Sequence, residues 1–275
     1  MNGGEGEWRN ATGETFHYYL WKGPSVRALL VLIHGFGEHA GRYQPVGARL
    51  AEEGICVAAP DLRGHGRSGG RRGDLTSLDQ IVEDVRQITE AVFLPQAGQA
   101  SYALFGHSFG GLAGIVYAMR GVPGLKRAII QSPLIDVGFP LPRWKEAAAK
   151  LCARVAPGMA LGMDLDLGAL SHDPAVGQAY RADPLVHNWM TARAYQAILA
   201  GRDAVRAHPA ELRVPTLFLY AGRDRIVSVP AAKQWFDSLT CDKRDVAFPE
   251  AYHELHHESV REDVFRLVRD WTLQG

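Results

Sequence analysis

The sequence predicts an α/β fold, a mostly parallel central sheet flanked by helices, with a helical cap inserted late in the chain. Three observations predict it. Short β-branched or apolar runs alternate with helical patterns along most of the chain. The runs are apolar almost throughout, as strands covered on both faces must be. One long stretch then breaks that rhythm without offering a clear strand.

The strands come first in the argument. Leu29–Ile33, Ile55–Ala59, Tyr102–Phe105 and Ala128–Ile130 read as buried strands, and Thr216–Tyr220 and Asp245–Phe248 repeat the pattern later. The earlier segment Thr15–Trp21 is aromatic and is expected as an antiparallel edge strand. Between these runs lie helix candidates at Tyr43–Glu53, Leu78–Val92, Phe109–Met119, Ala231–Leu239 and Ser259–Trp271. In the last of them Val260, Val264, Leu267, Val268 and Trp271 recur at helical spacing. From Pro133 to Val214 there are helical pieces, Arg143–Val155 and Thr191–Val205, in a stretch too long for a plain loop. The expected division is therefore a core over residues 1–132, a cap over 133–214 and the rest of the core over 215–275.

Composition excludes several functions. Lys+Arg and Asp+Glu tie at 30 each, so no basic excess exists to neutralise a nucleic-acid backbone. A neutral or apolar substrate fits better. The first residues carry no basic group and no apolar run, unlike a secretory signal, and no stretch is apolar enough to span a bilayer. Cys56, Cys152 and Cys241 are odd in number and scattered, as thiols in a reducing compartment are. A cytoplasmic enzyme is expected.

Gly106-His107-Ser108-Phe109-Gly110 matches G-x-S-x-G, and its context gives the match weight. A buried strand ends just before it and a helix begins just after it. A nucleophilic serine needs this arrangement: a strained strand-to-helix turn lifts its hydroxyl above the sheet, and small glycines admit the neighbouring backbone. The same expression matches Gly66-Arg67-Ser68-Gly69-Gly70, but without strand or helix beside it, so that copy reads as a surface loop. Ser108 is the expected nucleophile.

Where a serine occupies such a turn of the α/β-hydrolase fold, an acid and then a histidine follow in the chain. Asp224 sits at the end of a predicted strand, and His253 follows the last one. The histidine would take the serine proton; the aspartate would fix its tautomer and stabilise the imidazolium. Asp203 and Asp237 compete for the acid's role, but neither follows a strand. His253-Glu254-Leu255-His256-His257 also spells the zinc motif H-E-x-x-H. A third ligand is missing, because Val260 and Asp263 stand where a turning glycine and a histidine would be needed. His253 is expected at a helix start, His256 and His257 as ordinary polar residues near the site, and no metal or cofactor is expected. His34-Gly35-Phe36-Gly37 follows the first buried parallel strand and suits an oxyanion loop. The expected donors are the backbone amides of Phe36 and Phe109, with His34 pinning the loop.

With these residues placed, the chain resembles the monoacylglycerol lipase and lysophospholipase branch of the α/β-hydrolases. The resemblance is carried by His34-Gly35-Phe36-Gly37-Glu38-His39 with Gly41-Arg42-Tyr43, by Asp61–Ser68 and by Gly106–Gly111. Inside the insertion Leu170-Ser171-His172-Asp173-Pro174 and Asp183-Pro184-Leu185-Val186-His187 also look like that branch. Gly222–Val227 and Tyr252–Leu255 complete it. The resemblance implies cleavage of an ester with one fatty acyl chain through an acyl-Ser108 intermediate, with monoacylglycerol as the leading substrate. It further implies an acyl tunnel under the cap and transient contact of the cap with membrane or micelle surfaces. A lysophospholipase, a short-chain carboxylesterase and an acyltransferase share the intermediate, and a non-catalytic binding module shares the fold. That last reading predicts loss of a triad member, and all three are present.

Overall fold

The computed structural model describes residues 2–139 and 143–274, so residues 140–142 of the expected insertion lie outside the described residues. In chain order the elements are β1 (Asn2–Arg9), β2 (Thr15–Lys22), β3 (Ala28–Ile33), α1 (Gln44–Ala51), β4 (Ile55–Pro60), α2 (Leu78–Ile88), α3 (Leu94–Ala97), β5 (Tyr102–His107), α4 (Phe109–Met119) and β6 (Leu125–Gln131). They continue as α5 (Arg143–Val155), β7 (Ala160–Gly162), α6 (Pro174–Ala182), β8 (Trp189–Thr191), α7 (Ala192–Ala207), β9 (Thr216–Ala221), α8 (Val229–Asp237), β10 (Lys243–Phe248) and α9 (Arg261–Leu273). The main sheet has eight strands in the order β1-β2-β4-β3-β5-β6-β9-β10. From β4 to β10 every pairing is parallel, while β2 joins β4 antiparallel.

The apolar runs bury both faces of this sheet, and the period of two divides them. Leu29, Val31 and Ile33 of β3 point into one core with Ile81 and Val85 of α2 and Leu112 and Ile115 of α4. Leu30 and Leu32 point into the other, with Val46 and Leu50 of α1 and Val264, Val268 and Trp271 of α9. Alternate residues thus serve opposite layers, which explains why the strands read as continuously apolar.

Two expectations need correction. Thr15–Trp21 is an antiparallel strand but not an edge, because β1 pairs with it along its whole length from Asn2↔Lys22 to Arg9↔Thr15. The stretch between β6 and β9, expected without a clear strand, also contains strands after all, since β7 and β8 pair antiparallel through three residues each. The helix expected over Leu78–Val92 is α2, which runs on through a π turn at Thr89–Phe93 into α3 and stops where Gly98 turns left-handed.

Candidate active site

The carboxyl ends of β3, β5, β9 and β10 bring the predicted site residues to one end of the sheet. Ser108 caps α4 directly after β5, with φ 55 and ψ −117. A non-glycine residue in that conformation carries strain of about 1–3 kcal/mol, so the surroundings must impose it. They do so through three backbone bonds: the Ser108 N–H donates to Gln131 O (3.0 Å), and its carbonyl accepts from Leu112 (3.1 Å) and Leu134 (3.0 Å). The flanking glycines are obligatory. A β-carbon on Gly106 would strike the Gly110 carbonyl, and one on Gly110 would strike the Ile33 carbonyl.

Asp224 leaves the end of β9 on a turn in which its Oδ1 accepts from the backbone N–H of Ile226 (2.8 Å) and Val227 (3.0 Å). Its Oδ2 accepts from Nδ1 of His253 at 2.7 Å. Burial alone would raise the Asp224 pKa, but His253 and the two amides hold it below the usual aspartate value. Burial likewise disfavours the charged form of His253, yet the aspartate's charge and hydrogen bond lift its pKa above the ordinary histidine value. With its Nδ1 proton committed to Asp224, the neutral ring offers Nε2 as a base. Ser108 and His253 line the same cavity.

His253 does not stand at the start of an α-helix. It occupies a bend, followed by a 3-10 turn at Leu255–His257, so the H-E-x-x-H residues never share a helical face. Glu254, His256 and His257 still bring one ligand atom each to within 4.8 Å of one another. Both Glu254 oxygens, however, are taken by the Arg42 guanidinium at 2.8 Å, and His257 Nδ1 lies 2.7 Å from one of them. His256 is not an ordinary polar residue either. It is buried, stacked on Tyr43 at 4.7 Å, with Nδ1 2.8 Å from the Gln131 amide. The same amide reaches Nδ1 of His107, whose pKa burial and the neighbouring His253 push down to about 3, so this second histidine of the site stays neutral.

The His34–Gly37 loop sits opposite. His34 pins it as expected: Nδ1 donates to Gly35 O (2.7 Å) and Nε2 accepts from the Leu62 N–H (2.9 Å). Phe36 follows on that loop, and Phe109 opens α4, where the first four helical amides have no acceptor in their own helix. Both residues line the cavity beside Ser108. The serine of the second G-x-S-x-G, Ser68, is buried and fully used in a turn. Its hydroxyl donates to Asp61 O (2.6 Å) and accepts from the His17 N–H (2.9 Å). Asp203 and Asp237 are exposed and face Arg202 and Lys233.

Sequence reasoning missed the ionic cluster behind the site. Arg42 bridges Glu38 and Glu254, and Glu38 Oε1 also accepts from the Gly35 N–H (2.6 Å) and the Tyr43 hydroxyl (2.7 Å). Glu38 and Arg42 stand four apart, a readable pair, whereas Glu254 lies 212 positions away.

The cavity has a volume of ≈ 670 Å³, within the range of small-molecule sites. Away from Ser108 its walls are mostly apolar, including Leu134 and Val137 between β6 and α5, Leu161 of β7, Met163 just after it, Met190 of β8 and Ile198 of α7. Such a site can attack a carbonyl at its polar end while sequestering an apolar group along the walls.

Comparison with known proteins gives a consistent picture. A family model described as serine aminopeptidase, S33, matches residues 24–260. A monoacylglycerol lipase of Mycolicibacterium smegmatis is 34% identical over 251 residues, covering 90% of this chain and 88% of that one. An abhydrolase domain-containing protein of Dictyostelium discoideum is 31% identical over 263 residues, 94% of this chain but 28% of that longer protein. Among solved structures, the monoacylglycerol lipase of Paleococcus ferrophilus superposes with a TM-score of 0.82 at 28% identity, covering 100% of this chain and 99% of that one.

Proposed function

The chain belongs to the serine aminopeptidase S33 family of α/β-hydrolases, and within it we propose a serine ester hydrolase that cleaves monoacylglycerols to fatty acid and glycerol. The observation that carries the reading is one cavity with Ser108 and the His253–Asp224 pair at its polar end and apolar walls beyond. Neutral His253 takes the Ser108 proton as the oxygen attacks the ester carbonyl. The amides of Phe36 and Phe109 stabilise the resulting oxyanion. The imidazolium returns the proton to glycerol as it leaves, and water repeats the sequence on the acyl-serine to release the fatty acid. No metal or cofactor is assigned a part.

Two observations favour an ester over a peptide. An aminopeptidase must hold the substrate's ammonium group, yet the buried carboxylates on the cavity wall, Glu38 and Glu254, already share the Arg42 guanidinium, and Glu38 also accepts from the Gly35 N–H and the Tyr43 hydroxyl. The walls themselves suit an acyl chain. The proposed cap spans residues 133–214, between the sheet strands β6 and β9. Its exposed Phe139, Leu151, Val155 and Met159 would rest transiently on a membrane or micelle surface. Among the described residues no helix is long and apolar enough to cross a membrane, and we place the protein in the cytoplasm.

Initial rates on mono-, di- and triacylglycerols and lysophospholipids of matched acyl length test the reading. Each buried methylene contributes roughly 0.8 kcal/mol, so longer single chains should be preferred until the cavity is full. Monoacylglycerols should lead and triacylglycerols trail, since two further chains have no place to lie. Equal or faster triacylglycerol hydrolysis would contradict the proposal.

A further inference from the structure

The two insertion motifs singled out in the sequence, Leu170–Pro174 and Asp183–His187, touch two different loops of the site, and Leu170 of the first lines its cavity. The first lies along the histidine loop. The His253 N–H donates to Ala169 O (3.3 Å), the Glu254 N–H donates to Leu170 O (2.8 Å), and the Ser171 hydroxyl donates to His257 O (3.2 Å). Glu258, although 4% exposed, closes this contact with one oxygen. Its Oε1 accepts from the His172 N–H (2.9 Å), His172 Nδ1 (3.0 Å) and the Tyr252 N–H (3.2 Å).

The second motif lies along the oxyanion loop. The His187 N–H donates to Gly37 O (2.8 Å), and Asp183 Oδ2 accepts from Nε2 of buried His39 (2.8 Å). The contact leaves no space, because a β-carbon on Gly37, at φ +81, would sit 2.5 Å from the His187 carbonyl. Between the motifs runs α6, capped by the Asp173 carboxylate and started by Pro174. Its buried Tyr180 ring lies 4.7 Å from the Arg42 guanidinium, which already joins the two loops through Glu38 and Glu254. The insertion is thus of two kinds. Its outer part carries the exposed Leu151, Val155 and Met159, while residues 169–187 are bonded to both loops that the chemistry uses.

We infer that residues 169–187 form a brace that sets the separation of the histidine and oxyanion loops, with Glu258 and Asp183 as positioning residues at its two ends. This rests on Ser108 and His253 being the reacting pair. The brace acts on catalysis because His253 and the Phe36 amide belong to loops that no strand pairing ties to one another. A shift of about 1 Å between such groups can cost on the order of 10²-fold in rate. The outer part is bonded to β8 and the start of α7 rather than to either loop, so it can admit an acyl chain without disturbing that geometry.

Hydrogen exchange of the unaltered full chain is the first test. The amides of His187, His253 and Glu254 should exchange as slowly as those of the central strand β5, and the amides of residues 147–163 much faster. Equal exchange in 147–163 and 169–187 would overturn the brace. The second test is kinetic, on a short-chain p-nitrophenyl ester that needs no acyl tunnel. Glu258→Ala and Asp183→Ala should each lower kcat with KM nearly unchanged and slow the labelling of Ser108 by a fluorophosphonate. Glu258→Gln, which keeps the accepting oxygen, should restore most of the rate. The double Ala variant should be little worse than the worse single one, because freeing one end already releases the brace. A loss confined to KM, no rescue by Gln, or two losses that simply multiply would overturn it. If the unaltered protein fails to label at Ser108, it is the hydrolase reading that falls, whatever the exchange shows.

Discussion

Replacing Arg42 with methionine is the sharpest perturbation of the site's foundations. The Arg42 side chain is 9% exposed, and the carboxylates it bridges, Glu38 and Glu254, are 4% and 2% exposed. Burial alone would raise both glutamates above the ordinary value of 4.5, and the Arg42 charge is what holds them below it. In the native protein the cluster therefore stabilises fully above pH 4.5, and that contribution is lost as pH falls through the depressed folded values. Arg42→Met strands two buried carboxylates against each other. Breaking a buried pair this way costs about 3–5 kcal/mol, which for a chain of this size lowers the melting temperature by on the order of 10 °C. The stranded glutamates should then titrate above 4.5, so the deficit reverses its slope: largest at pH 8, it shrinks as acid neutralises them. Urea denaturation of both proteins at pH 8 and pH 5.5 measures it. The triple variant Glu38→Gln/Arg42→Met/Glu254→Gln should recover much of the loss, having no charge left to solvate. A deficit below about 1 kcal/mol, the scale of an exposed pair, or one independent of pH, would refute the reasoning.

Three further outcomes follow from the proposed chemistry. Asp224→Asn should fold but lower turnover by on the order of 10⁴, as the wrong histidine tautomer does elsewhere; near-normal activity would move the search to Asp203 and Asp237. Because catalysis needs neutral His253 and the Asp224 charge lifts its pKa above the ordinary histidine value of 6.5, the acid limb of kcat/KM should fall above pH 6.5, and a limb below it would contradict the Asp224 pairing. The same shift contributes stability below pH 6.5 that fades as pH rises through the folded value, so activity and this increment of stability run in opposite directions. Ester hydrolysis should survive EDTA, and loss of activity restored by zinc would revive the H-E-x-x-H motif.

The parts of the molecule that were legible in the sequence are those where one local pattern carries the information. The buried strands declared themselves because both of their faces are covered, and Ser108 because a strand, a small-residue turn and a helix are contiguous around it. The Asp224–His253 pair was readable from strand ends taken with the chain order of serine, acid and histidine. β1 was not, because Asn2-Gly3-Gly4-Glu5-Gly6-Glu7 has no apolar alternation and is held by its backbone pairing to β2. β7 and β8 are too short, at three residues each, to show a period. The helix start expected at His253 failed for the opposite reason: the H-E-x-x-H spacing is helical, but Glu254 is drawn to Arg42 and the chain makes a bend and a 3-10 turn instead. His256 looked like a polar neighbour because its burial depends on Tyr43 and Gln131, both far away in sequence. Contacts between distant segments, including the two sides of the brace, leave no periodic trace.

The central claim is that Ser108 is the nucleophile, and a fluorophosphonate reports it most directly, since it bonds only to a serine with a base and an oxyanion hole. Peptide mapping of the labelled full chain should find the adduct at Ser108 alone. Ser108→Ala should then remain folded, take up no label and hydrolyse no monoacylglycerol. Label retained by Ser108→Ala, or found at Ser68, would contradict the account.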